Sequence, residues 1–117
     1  MDGERAMIST HVLDTSSGRP AQGVSVALEV LGASGSWLSV ALHTTDLDGR
    51  VRELGSATEL AGKTCRLRFE TGAYFAAQGA PVFFPYVDVA FVIDADRDRY
   101  HVPLLLSPFG YSTYRGS

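Results

Sequence analysis

The chain holds 117 residues, the size of one domain, since domains typically contain about 100–150 residues. Its net charge of −3, with no Lys/Arg block, excludes a basic surface for nucleic acid or anionic lipid. A hydrophobic fraction of 45% is enough for one packed core, and no run approaches the roughly 18 apolar residues of a membrane helix.

The single cysteine, Cys65, cannot form an internal disulfide, so no oxidising compartment is required. The opening MDGERAM is charged and lacks the apolar segment of a signal peptide. Cytoplasm is the expected location, with neither membrane nor nucleic acid as a partner.

In chain order the dominant period is two, the signature of half-buried strands. MISTHVLD predicts a strand over about 8–13, with Ile8, Thr10 and Val12 on one face and Ser9, His11 and Leu13 on the other. Ser17-Gly18-Arg19-Pro20 and Gly23 turn the chain into a second strand, where Val24, Val26, Leu28 and Val30 alternate with polar or small residues. Gly32 to Ser36 turn it again into 37–45. Asp48-Gly49 is a hairpin signal, because Gly takes positive φ at little cost. It precedes a strand at 50–54. Cys65, Leu67 and Phe69 mark the next strand, and Gly72 to Gln78 the one plausible helix, ended by Gly79 and Pro81. Val87, Val89, Phe91 and Ile93 alternate again, and further strands fall at 100–107 and 110–115. About eight short strands and one helical turn predict an all-β antiparallel sandwich forming one domain over 1–117.

Two strands are apolar on both faces. In Val102-Pro103-Leu104-Leu105-Leu106 and in Asp88 to Ile93, the side opposite the core remains greasy. Such a face needs a cover, and a chain without spare helices finds one most readily in another copy of itself.

The residues able to carry chemistry are few. His11 and His101 each lie opposite the stronger apolar row of their strand, and imidazole titrates near neutrality, as general acid–base work requires. Structural hydrogen bonding at a surface or interface is the simpler use of either. Arg50 directly follows the Asp48-Gly49 turn and can present a planar fork of donors to a carboxylate or an anionic heterocycle; an exposed pair with Asp46 or Asp48 is the plainer alternative. His43 is placed on the face opposite Leu38, Val40 and Leu42, as a surface or rim residue. The three histidines have no metal-ligand spacing and no cysteine to complete a zinc set, so no metal is expected. No G-x-S-x-G or phosphate-cradling loop is present, and Cys65 falls on a core face.

Taken together, ISTHVLDTSSGRPAQGVSVALEVL, TTDLDGRV, FFPYVDVAF and the closing YRGS resemble the transthyretin-related 5-hydroxyisourate hydrolases. The resemblance runs over nearly the whole chain, in family order. It implies a transthyretin-like sandwich of two four-stranded sheets with one short helix. It further implies a homotetramer, a dimer of dimers, with active sites in the channel between stacked dimers. The implied reaction is hydrolysis of 5-hydroxyisourate to 2-oxo-4-hydroxy-4-carboxy-5-ureidoimidazoline, without cofactor. Matched by position, the implied site residues are His11, Arg50, His101, Tyr114 and Ser117. The chemistry of these groups then suggests a division of labour: His101 takes a proton from the attacking water, His11 orients the water or protonates the leaving nitrogen, Arg50 stabilises developing charge, Tyr114 hydrogen-bonds and walls the ring, and Ser117 positions water or a histidine. One rival is a transthyretin-like carrier of small aromatic ligands without turnover. Another is an interaction or carbohydrate-binding sandwich, for which Trp37 is the only visible platform.

Overall fold

A computed structural model describes residues 7–94 and 99–116. Ten strands and one helix follow in the order β1 Met7–Asp14, β2 Arg19–Pro20, β3 Ser25–Leu31, β4 Trp37–Thr44, β5 Arg50–Ser56, β6 Thr64–Phe69, α1 Thr71–Ala76, β7 Val87–Val92, β8 Arg99–His101, β9 Leu104–Ser107 and β10 Gly110–Thr113. One sheet runs β4-β3-β6-β7. In the other, β1 is flanked on one side by β5 and on the other by β8 and β9 in succession, with β10 outside β9 and the short β2 beside the end of β1. Since β8 and β9 occupy one lane, the expected two four-stranded sheets are present.

The expected single strand over 100–107 is broken at Val102 and Pro103. Proline has no N–H to give the ladder, so pairing lapses there. The gap is held by other bonds: Val102 N donates to Ser9 O at 3.0 Å, and Thr113 Oγ1 donates to Pro103 O at 2.7 Å. The helix begins one residue before its expected start and ends at Ala76, its last turn closing onto Gly79 at φ 70°.

The alternating rows fill the space between the sheets. Ile8, Val12, Val26, Leu28, Leu67, Phe69, Val87 and Leu104 are fully buried, with Cys65 among them. Burial pushes the Cys65 thiol up, in line with its reading as a core residue. Asp14, also buried, holds α1 to the end of β1. Burial alone would raise its carboxyl, but hydrogen bonds from Ser16, the Tyr74 hydroxyl and backbone N–H groups outweigh it and lower it.

Two sequence expectations change. Leu38 and Leu42 do not share a face, because the β3–β4 register shifts between Leu28 and Glu29: Leu38 pairs with Val30 and Leu42 with Ala27. His43, opposite Val26, is exposed. The outer side of β7 is also less greasy than its sequence suggests. There Asp88 takes two bonds from Arg68 at 2.8 Å, and Arg66 reaches Glu29 at 2.6 Å. The Arg66 guanidinium covers Trp37 at 4.4 Å and that of Arg68 covers Tyr86 at 3.9 Å. Trp37 is therefore half-covered, not a free stacking platform. Among the described residues, no helix is long and apolar enough to cross a membrane.

Candidate active site

The outward face of β1 organises the site. Its burial alternates strictly, with Ile8, Thr10 and Val12 turned to the core, so Ser9 and His11 share the opposite face. On one flank His11 pairs directly with Arg50 of β5; on the other Ser9 pairs with His101 of β8. Directly opposite residues of an antiparallel pair have Cβ atoms about 4.5–5.5 Å apart, so His11 and Arg50 stand side by side; His101 lies diagonal to His11 across from Ser9, near enough that the charges of Arg50 and His11 both act on it.

Arg50 is aimed by the turn before it. The Asp46 carboxylate accepts the N–H groups of Asp48 and Arg50, each at 2.9 Å, while Asp46 and Arg50 also bond through their backbones at 3.0 Å. Those N–H donors keep the Asp46 carboxyl low. Gly49 adopts φ 75° and its carbonyl accepts from Val12 N at 2.7 Å, tying the turn to β1. Among the described residues, the ion pair of this turn joins Arg52 to Asp48. Arg50 is left to face the imidazoles.

On the other flank, Gly116 N donates to His101 O at 2.8 Å, an isolated antiparallel bridge. The segment after β10 thus returns to His101. Ser9 Oγ lies 2.8 Å from His101 Nδ1, and Thr10 Oγ1 bonds the Val102 carbonyl at 2.6 Å on the inner side. Ser9 and Gly116 are the site residues that the sequence reasoning did not single out. The only available signal for Ser9 was its shared face with His11.

Both imidazoles are shifted down. For His101 the cause is first burial, then the positive charge of Arg50, then His11. For His11 it is again burial and then Arg50, partly offset by a hydrogen bond to the Asp48 backbone and by the carboxylates of Asp48 and Asp46. Each is therefore held neutral at neutral pH, the state in which an imidazole can accept a proton.

Tyr114 and His101 both border a cavity of about 350 Å³ that opens between β7 and β10, with Phe91 and Tyr100 stacked along it. His11 and Arg50 are not in this cavity but on the open sheet face beside it. Ser117 lies outside the described residues; its neighbour Gly116 is the one seated at His101. Of the five expected site residues, four are therefore described, and His11, Arg50 and His101 form one cluster with Tyr114 at its border. Among the described residues, no three His, Cys, Asp or Glu side chains converge as a metal site.

Several known proteins share this architecture. The 5-hydroxyisourate hydrolase of Mus musculus is 43% identical over 118 aligned residues, spanning 100% of both chains. The structure of Klebsiella pneumoniae 5-hydroxyisourate hydrolase superposes with a TM-score of 0.83 at 40% identity, over 96% of this chain and 99% of that one. Transthyretin from Sparus aurata superposes with a TM-score of 0.89 but at 30% identity, over 96% and 97%. Backbone shape alone thus does not separate the enzyme from the namesake of the fold; residue identity leans to the hydrolases. With residues 8–116 also matching the HIUase/Transthyretin family model, the chain belongs to that family.

Proposed function

We propose that the chain is a 5-hydroxyisourate hydrolase, acting in urate degradation. The observation that carries this reading is the single cluster of His11, Arg50 and His101 on one open face, in a chain whose full length aligns with a hydrolase of that name. A carrier of small aromatic ligands has no use for two imidazoles kept neutral beside a guanidinium.

The chemistry follows from the groups. His101 accepts a proton from water at Nε2 as the water oxygen bonds to a ring carbonyl carbon. Arg50 donates to the carbonyl oxygen as it gains charge; preorganised donors of this kind contribute roughly 3–4 kcal/mol each. His11, with a ring nitrogen hydrogen-bonded to the Asp48 backbone, orients the water. Collapse of the tetrahedral carbon breaks the ring C–N bond, and the proton held by His101 passes to the departing nitrogen. Tyr114 walls the flat ring, and Ser117 holds the water or an imidazole in place.

The working unit is a homotetramer in which dimers stack over the His11–His101 face. Three features support this. The cluster is open on one side, β7 and β10 are edge strands of their sheets, and Tyr114 and Val92, beside the cavity at those edges, are 58% and 57% exposed. Unpaired edges of this kind invite pairing with another strand.

The test is to generate 5-hydroxyisourate from urate in situ and follow its decay with and without the protein, while light scattering reports subunit number. Acceleration that disappears in His101→Ala supports the assignment. A wild type that leaves the spontaneous decay unchanged ends it.

A further inference from the structure

Ser9 is the described side chain that touches His101 at a ring nitrogen, and the fold fixes it there from several sides. The parallel β1–β8 register sets Ser9 against His101. The Ser9 carbonyl accepts from Val102 N at 3.0 Å, and Thr10 Oγ1 clamps the Val102 carbonyl at 2.6 Å. Opposite Ser9, β5 carries two more residues than β1 between the Val51 and Gly55 pairs. Ser9 therefore sits against a bulge, where side chains are commonly re-aimed. On the far side of the ring, the Gly116 backbone backs the Cδ2 edge. With Nδ1 facing Ser9 Oγ at 2.8 Å, the ring has one nitrogen left for the open face, Nε2.

We propose that Ser9 is a positioning residue: its hydroxyl oxygen accepts the His101 Nδ1 proton and so keeps the lone pair of Nε2 turned to the substrate. This rests on the assignment of His101 as the base given above. A free neutral imidazole side chain favours the Nε2–H tautomer, which cannot take a proton at that nitrogen. A hydroxyl oxygen that accepts at Nδ1, rather than donating its own proton there, reverses the preference. It also serves unchanged after Nε2 is protonated, because the imidazolium still has Nδ1–H to donate and Ser9 Oγ still accepts it. The hydrogen bond need not reorganise during the proton transfer, which is the condition for preorganised catalysis. Charged and titratable groups around the ring and its cavity are His11 of β1, Arg50 of β5, Asp94 after β7, Tyr100 of β8, and Tyr114 and Arg115 after β10. Among the described residues, the partner of Nδ1 is Ser9.

The experiment compares wild type, Ser9→Ala and Ser9→Thr by side-chain ¹⁵N shifts of His101 and by turnover across pH. Wild type should show a protonated Nδ1 and a bare Nε2. Ser9→Ala should shift the tautomers toward Nε2–H and lower kcat on the order of tenfold with little change in KM. It should also move the acid limb of kcat to lower pH, since the imidazolium loses an acceptor. Ser9→Thr, which keeps the hydroxyl, should restore most of each. A wild-type ring protonated at Nε2, or Ser9→Ala with unaltered kcat and pH profile, overturns the proposal. The ring shifts need no turnover, so an inactive wild type would count against the hydrolase reading while the tautomer still decides the role of Ser9.

Discussion

Gly116 packs against His101 so closely that a Cβ at Gly116 would stand 2.6 Å from the ring's Cδ2 and 3.2 Å from its Cγ. The same residue donates its N–H to the His101 carbonyl. No side chain fits there unless the ring or the segment moves. Gly116→Ala is expected to displace the imidazole and cut kcat by about 10²-fold, the scale of an ångström-sized misplacement. Little core packing depends on this segment, so the melting temperature should shift by no more than a few degrees. Turnover and a thermal melt on the same sample check this, and full activity would show that the ring position is not set by Gly116.

Most of this fold could be read from strand alternation. The rows Val26–Leu28–Val30 and Cys65–Leu67–Phe69 point where period two places them, because one sheet face is buried and a one-residue slip would expose it. The site was legible in part: His11 and His101 were identifiable by type and face, and Arg50 by its place directly after the Asp48-Gly49 turn. Their adjacency followed from the family resemblance alone and not from spacing, because it depends on which strands flank β1, and pairing partners leave no trace in a single sequence. The β3–β4 register shift that separates Leu38 from Leu42 was hidden for the same reason. Ser9 carries no signal of its own, because one hydroxyl in a strand is ordinary until His101 is beside it. The close approach of Gly116 likewise depends on tertiary contact alone.

The turn that aims Arg50 should separate stability from activity. At Gly49 a Cβ would lie 2.4 Å from the Val12 carbonyl oxygen and 3.1 Å from Ala21 N, at φ 75°. Gly49→Ala combines backbone strain with a clash against backbone and is expected to cost roughly 2–3 kcal/mol. Asp46→Ala removes instead the acceptor of the Asp48 and Arg50 N–H groups. Because Asp46 is exposed, the loss should be smaller than for Gly49→Ala, while kcat falls as Arg50 loses its fixed direction. Urea unfolding beside turnover assays distinguishes the two patterns.

Activity should depend on pH through imidazoles held below their ordinary range. Burial, then Arg50, lowers both His101 and His11, so the neutral base persists into mild acid. The acid limb of kcat/KM is expected below the ordinary histidine midpoint of about 6.5. Stability carries the same sign. The folded state binds these protons more weakly than the unfolded chain, so their contribution is present above about pH 6.5. It declines as pH falls from there through the lowered folded values. Rate profiles and denaturant midpoints across about pH 4.5–8.5 (roughly two units either side of the free imidazole value) check both. An acid limb above the free value would mean that a carboxylate, not Arg50, dominates the pair.

Arg50 is the electrostatic link in this cluster, because the same guanidinium lowers both imidazoles and is cast as the donor to the substrate oxygen. Two substitutions pull these roles apart. Arg50→Gln removes the positive charge, so both histidines should titrate higher and the acid limb should move up in pH. The loss of oxyanion stabilisation should at the same time lower kcat by about 10²–10³-fold. Arg50→Lys keeps a charge near the rings but replaces the planar fork with a point donor. The acid limb should then stay close to that of wild type while kcat still drops, by on the order of tenfold to a hundredfold. Full pH–rate profiles of the three proteins give both quantities together. If Arg50→Gln lowers kcat without moving the limb, the charge of Arg50 is not what keeps the imidazoles neutral, and burial alone must do so.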